Sequence, residues 1–199
     1  MLDLSYKELL SAAAIALTFI AFFPYIRSIL RGEIKPHVFS WIIWGATTLV
    51  AFFAQLDDDG GVGAWPIGIS GVITLFIALL AYIKKSDIAI TKTDWLFFIT
   101  AMSSLPFWYF TSDPLWAVII LTAVDVFGFG PTIRKTYIDP YSESQLFFTL
   151  FVIRNIIASI ALENYSLTTL LFPVVIAIAC GILMLMIAYR RIVLFSIKQ

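Results

Sequence analysis

Seven stretches of about twenty mostly apolar residues, divided by short polar punctuation, fill nearly the whole 199-residue chain. They run roughly over 9–30, 38–56, 62–83, 93–111, 115–134, 144–162 and 166–189. A hydrocarbon core about 30 Å thick is crossed by a helix of about twenty residues. Backbone groups in that core find no water, so the segment has to satisfy them internally, as a helix does. The stretches lack the alternation of a barrel strand and are too long for one. With 61% hydrophobic and 13% charged residues, a soluble domain of this length could not cover its own surface. The fourth stretch is the least regular, being interrupted by Ser103, Ser104 and Pro106.

The loops carry a strong charge asymmetry. Arg27, Arg31 and Lys35 follow the first stretch, Lys84, Lys85 and Lys92 the third, Arg134 and Lys135 the fifth, and Arg190, Arg191 and Lys198 the last. The even-numbered connections hold Asp57, Asp58 and Asp59, then Asp113, then Glu163, with no basic residue. The excess of Lys and Arg on cytoplasmic loops then predicts an N-terminus outside, a C-terminus in the cytoplasm and an odd number of crossings. Trp65, Trp108 and Trp116 fall at predicted outer ends and Trp95 at an inner end, where interfacial aromatics anchor.

The formal net charge is zero, so no basic face for nucleic acid is expected. The one cysteine, Cys180, sits inside the last stretch and reads as a small core residue. The N-terminal region, with Asp3, Lys7 and Glu8, is not basic enough for a cleavable signal peptide. His37, the one histidine, falls in the first predicted loop. The run Asp57-Asp58-Asp59-Gly60-Gly61 lacks the alternate spacing of a calcium loop and reads as a solvated turn. No nucleotide-binding loop, zinc spacing or Ser/His/Asp arrangement is present, so neither an enzyme, a metal site nor a cofactor is expected.

The two halves of the chain match at a shift of about 107 residues. Pro24-Tyr25-Ile26-Arg27 aligns with Pro131-Thr132-Ile133-Arg134, Pro66 with Pro173, and Ala81-Tyr82 with Ala188-Tyr189. Pro36-x-x-x-Ser40 aligns with Pro140-x-x-x-Ser144 after a three-residue deletion. Several matches in order at one offset indicate duplication. A three-helix unit copied directly would insert upside down unless one extra helix intervened. The expected architecture is thus an all-α membrane protein of seven transmembrane helices. Residues 1–85 form a first three-helix bundle, 86–112 a linker helix, and 113–199 a second, parallel bundle with a short cytoplasmic tail.

This 3+1+3 plan, the outside N-terminus and a proline near the inner end of the first helix of each repeat resemble the PQ-loop and SWEET transporter superfamily, as a divergent bacterial-type member. Trp41-x-x-Trp44 is similar to the tryptophan motif of the related nicotinamide riboside transporters. The resemblance covers essentially the whole chain as architecture. It implies a small-solute transporter of a bacterial inner or plasma membrane, working by alternating access, with Pro24 and Pro131 as hinge or gate residues. The superfamily also contains proton-coupled amino-acid exporters and a peptide-sorting receptor.

Asp125 and Arg154 are the ionisable residues that lie deep in the apolar stretches, both near mid-membrane. A charge at the bilayer centre costs roughly 2.5–3.5 kcal/mol on insertion scales, so such residues face a cavity or each other. Arg154 is a candidate anchor for an anionic group and Asp125 a candidate protonation site; a static Asp125–Arg154 pair is the structural alternative. The repeat places Thr18 opposite Asp125 and about Val50 opposite Arg154, so the two halves are chemically unequal. Trp41 and Trp44, three residues apart, share a helix face and could stack on a planar solute. Asn155 and Ser70 are further candidate contacts, with Gly68, Ser70 and Gly71 also suited to close helix packing. The expected partners are a small solute and the lipid bilayer, with self-association into a homo-oligomer left open. The rival readings are a membrane receptor or sensor of the same fold and a subunit that packs against another membrane protein.

Overall fold

Helix boundaries follow capping chemistry at the ends of the apolar stretches. In the computed structural model, which describes residues 5–32, 38–84, 92–141 and 144–197, seven α-helices and one short 3₁₀ segment form. They are α1 (Tyr6–Leu30), α2 (Val38–Asp57), α3 (Trp65–Ile83), α4 (Lys92–Thr111), α5 (Pro114–Ile138), α6 (Gln145–Ala161) and α7 (Leu167–Ile197), with the 3₁₀ segment Gly61–Ala64 leading into α3. Side chains of 93, 94, 97, 130–132, 134, 135 and 195–197 lie outside the description, as do Pro36 and His37 entirely.

Ser5 and Glu8 make a capping box at α1: the Ser5 side chain accepts from Lys7 N–H and the Glu8 carboxylate accepts from Ser5 N–H at 2.7 Å. Ser144 caps α6 through the Phe147 N–H. Ser166 and Thr169 cap α7 reciprocally, each hydroxyl accepting from the other's N–H at 3.1 Å. Pro66, in the first turn of α3, needs no donor there. Relative to the sequence reading, the third stretch opens as a 3₁₀ turn, and the last helix runs on from residue 189 to Ile197.

Four spans are long and apolar enough to cross a membrane: Tyr6–Leu30, Val38–Asp57, Gly61–Ile83 and Leu167–Leu194. Large apolar side chains face outward on each of them, among them Phe19, Ile20 and Phe23 on α1, Phe53 on α2, Val72 and Leu79 on α3, and Ile178 and Leu185 on α7. A water-soluble monomer does not tolerate so continuous an apolar exterior. The protein is therefore membrane-embedded.

Within the bundle, α3 packs between α1 and α2, and α7 packs between α5 and α6. Two seams join these triplets, α1 against α6 and α2 against α5, while α4 lies on α5 and more lightly on α2. Close approach of α2 and α3 depends on missing side chains. A Cβ on Gly45 would meet the Leu75 side chain at 2.5 Å, one on Gly68 would meet Phe52 at 2.8 Å, and one on Gly71 would meet Leu49 at 2.8 Å. Of the small residues expected to permit helix contact on α3, Gly68 and Gly71 do so.

At the end of the bundle holding the α1 N-terminus, the 58–64 connection docks onto the α6–α7 connection. Glu163 N–H donates to the Gly60 carbonyl, Asn164 donates to the Asp58 carbonyl, and the Ser166 hydroxyl donates to the Asp58 carboxylate. Lys7 Nζ donates to the Leu162 carbonyl at 2.5 Å, and the Ser11 hydroxyl to that of Val62 at 2.6 Å. The aspartate run is therefore a turn, as expected, with Asp58 tied to the neighbouring loop.

Gly63 lies against the end of α6, where an added Cβ would come within 2.3–2.5 Å of the Ala161–Leu162 backbone. Backbone cannot swing aside as a flexible side chain can. Gly63→Ala is expected to lower stability by about 1–3 kcal/mol, read as a drop in the thermal midpoint of the detergent-purified protein. Gly181→Ala, whose Cβ would meet Val152 at an ordinary 3.9 Å, should leave the midpoint unchanged or raise it.

Candidate functional site

The two charges buried in the bundle sit in different seams. α5 turns Asp125 toward α2, and α6 turns Arg154 toward α1 and α3; both side chains are buried, at 6% and 2% exposure. No ion pair joins them, so the static Asp125–Arg154 pair does not form. The physical reason is topological: α5 and α6 each pack on α7, and their charged faces look out to opposite seams.

Arg154 is a donor hub. Its Nε donates to the Thr18 hydroxyl of α1 at 3.1 Å, Nη1 to Asn155 Oδ1 at 2.9 Å, and Nη2 to the Pro66 carbonyl of α3 at 2.6 Å. The guanidinium carbon lies 5.4 Å from the centre of the Phe151 ring. Thr18 passes its own hydrogen to the Ala14 carbonyl at 2.8 Å, and the Asn155 amide donates to the Phe151 carbonyl at 2.8 Å. Asn155, one residue from Arg154, is thus reached by the guanidinium folding back along α6. Three bonds to a charged donor supply roughly 1.5–3 kcal/mol each, against a desolvation cost of several kcal/mol for the ion. The terms nearly offset, so the hub's effect is to fix which faces of α1, α3 and α6 meet. Three of the five guanidinium hydrogens are committed within the protein, leaving two for any anionic group.

Asp125 has one polar contact among the described residues. The Thr47 hydroxyl of α2 lies 3.0 Å from Asp125 Oδ1 and 2.9 Å from the Trp44 carbonyl, so one hydrogen serves two acceptors. A protonated Asp125 resolves the conflict by donating to Thr47 Oγ1, whose hydrogen then goes to the Trp44 carbonyl. An ionised Asp125 draws that hydrogen to itself. A Cβ on Gly128, one turn further along α5, would lie 3.0 Å from Trp44 Nε1, so the glycine lets the indole approach α5.

Trp41 and Trp44 meet edge-on at 5.7 Å, and Tyr25 of α1 lies 5.0 Å from Trp41. Phe22 stands edge-on to Phe147 and Phe151 of α6 at 5.9 and 5.3 Å, and those two rings stack at 4.4 Å. The aromatic group spans α1, α2 and α6 at the end of the bundle opposite the polar loop network. Ser70 is buried on α3, its carbonyl accepting from the Thr74 hydroxyl. α1 continues through Pro24 to Leu30. Pro131 falls within α5, its side chain outside the described residues.

The structure thus brings Arg154 together with Asn155, and Trp41 with Trp44, and links Asp125 to Trp44 through the Thr47 hydroxyl while keeping it apart from Arg154. Sequence reasoning missed Thr47, the Pro66 carbonyl, Phe22, Tyr25, Phe147 and Phe151. The i, i+4 spacing of Phe147 and Phe151 and the i, i+3 spacing of Trp44 and Thr47 were the available signals. Thr18 was found as the repeat counterpart of Asp125, and it proves to be the partner of Arg154. Among the described residues no cluster of His, Cys, Asp and Glu could hold a metal.

If Arg154 is a three-helix clamp, its forked geometry matters as well as its charge. Arg154→Lys should lower the thermal midpoint nearly as far as Arg154→Gln, a loss on the order of 2–4 kcal/mol; full stability in the lysine variant would refute the clamp. Compared with family models, with curated proteins and with solved structures, the chain matches none.

Proposed function

We propose that the protein is a small-solute membrane transporter of the PQ-loop and SWEET type, crossing the bilayer seven times and alternating access between two three-helix repeats. The observation that carries this reading is the packing pattern. Replacing α1, α2 and α3 by α5, α6 and α7 exchanges the α1–α3 contact for α5–α7, α2–α3 for α6–α7, and the α1–α6 seam for α5–α2. That is the relation expected of two parallel repeats about an axis along the membrane normal, with α4 outside as the linker. Outward apolar residues on α4, α5 and α6, such as Phe107, Phe127 and Ile156, support spans there too. The charge asymmetry of the loops supports an N-terminus outside and a C-terminus in the cytoplasm.

In this reading the solute sits between the repeats, with the aromatic group of Trp41, Trp44 and Tyr25 on one side and the buried polar groups at mid-depth. Asp125 is the coupling residue, taking a proton in the α2–α5 seam. The chain offers no nucleotide-hydrolysing part, so flux is facilitated or driven by an ion gradient. A subunit role is the second reading. It is favoured by the apolar groove of about 420 Å³ between α5 and α7, lined by Ile119, Val126, Phe127, Leu167, Leu171 and Val175, where a partner helix would lie. A receptor or sensor of the same fold would bind solute without moving it.

Reconstitution in liposomes with a panel of sugars, amino acids, organic acids and nucleosides tests the proposal. One chemical class should enter, and Asp125→Asn should remove the pH dependence of its flux with the fold retained. Absence of flux for every class sinks the transporter reading. Flux with unaltered pH dependence removes Asp125 from coupling.

A further inference from the structure

The two seams that join the triplets are equivalent in position and unlike in extent and chemistry, α1–α6 being the more extensive. The α1–α6 seam is held along its whole length: Lys7 to the Leu162 carbonyl at one end, Arg154 to Thr18 in the middle, and Phe22 and Tyr25 against Phe147 and Phe151 at the other end. Parting it strips a buried guanidinium of two of its three acceptors, the Thr18 hydroxyl and the Pro66 carbonyl. The α2–α5 seam has apolar contacts from Ile43, Leu121 and Val124, the Trp44 approach to Gly128, and the shared Thr47 hydrogen. Parting it at mid-depth exposes the Asp125 carboxyl, which an ionised acid meeting water satisfies readily; the other polar tie of α2 to the second triplet, the Gln55 amide donating to the Thr169 carbonyl of α7 at 2.7 Å, lies toward the end that carries the loop network.

Among the described residues no charged group competes with Thr47 for Asp125. On α2 the acidic residue Asp57 lies at the far, exposed end. On α4, Lys92 and Tyr109 lie near the two ends. On α7, Cys180 lies on the Arg154 side, and Tyr189, Arg190 and Arg191 lie at the far end. The closed seam therefore has full hydrogen bonding only when Asp125 carries a proton for Thr47. A hydroxyl that back-bonds to its own helix, as Thr47 then does to Trp44, also biases the local bend of α2.

We propose that the repeats move unequally: the α1–α6 seam is a fixed pivot clamped by Arg154, and the α2–α5 seam is the gate, latched shut through Thr47 when Asp125 is protonated. The proposal rests on the alternating-access reading and assigns Arg154 to the pivot. Two helices separating at one seam while the other stays packed is a hinge closure between rigid triplets.

Spin-label distances in lipid nanodiscs test this without a known solute. In a Cys180→Ala background, one pair of labels at Ile42 and Phe127 reports the α2–α5 seam, and a pair at Phe23 and Leu146 reports α1–α6; all four positions are exposed. Raising the buffer from mildly acidic to mildly alkaline should lengthen the first distance by about 2 Å or more and leave the second unchanged. Asp125→Asn should hold the first distance at its acidic value throughout. Thr47→Val, which keeps the shape and removes the hydroxyl, should lengthen it already in acid. Equal movement at both seams, no pH-dependent movement, or movement that survives Asp125→Asn overturns the proposal. Lack of liposome flux would sink the transporter reading alone and leave these distances as they are.

Discussion

A guanidinium inside an apolar bundle must be surrounded by acceptors, and the arrangement of α1, α3 and α6 follows from how Arg154 meets that demand. In water its hydrogens would be satisfied at no structural cost. Here they draw in the Thr18 hydroxyl, the Pro66 carbonyl and the Asn155 amide oxygen, which belong to three helices. Because desolvation consumes most of what those bonds return, the clamp contributes uniqueness more than stability. A rotation of α1 by one residue would remove Thr18 from Nε and leave a buried charge short of a partner.

Close packing then lets the clamp be reached. α3 lies against α2 because Gly45, Gly68 and Gly71 present no side chain, and the 3₁₀ segment lies against α6 because Gly63 presents none. Lipid offers helices no hydrophobic reason to associate, so dispersion across these bare surfaces and the few interhelical hydrogen bonds have to hold the bundle. The polar groups concentrate accordingly. One end carries the loop network of Lys7, Asp58, Glu163 and Ser166, the other the rings of α1, α2 and α6. One residue in each half, Tyr82 on α3 and Tyr189 on α7, occupies an exposed position at the 107-residue offset.

The likeness of the halves stops at the charges. Asp125 and Arg154 both belong to the second half, one in each seam, and each is answered by a threonine of the first half, Thr47 and Thr18. A symmetric scaffold with an acid in one seam and a base in the other has two chemically distinct joints. Only the acid can shed its charge by taking up a proton, since an arginine stays cationic.

The sequence by itself determined the helices, their near-boundaries, the 107-residue match between the halves and the two residues on which the buried chemistry turns. Hydrophobic length, proline and serine punctuation and the rarity of mid-membrane charge are properties of single segments, and bilayer physics acts on single segments. Which partners those charges take was settled by tertiary structure alone. A pair of adjacent helices in sequence, α5 and α6, holds Asp125 and Arg154, and the sequence leaves open that they touch. The bundle places α7 between them, because each triplet is held together by its third helix, and each charge turns to a seam with the other half. Contacts that span 78 and 136 residues, Thr47 to Asp125 and Thr18 to Arg154, depend on helix azimuth and on glycine-sized gaps. No local pattern encodes either.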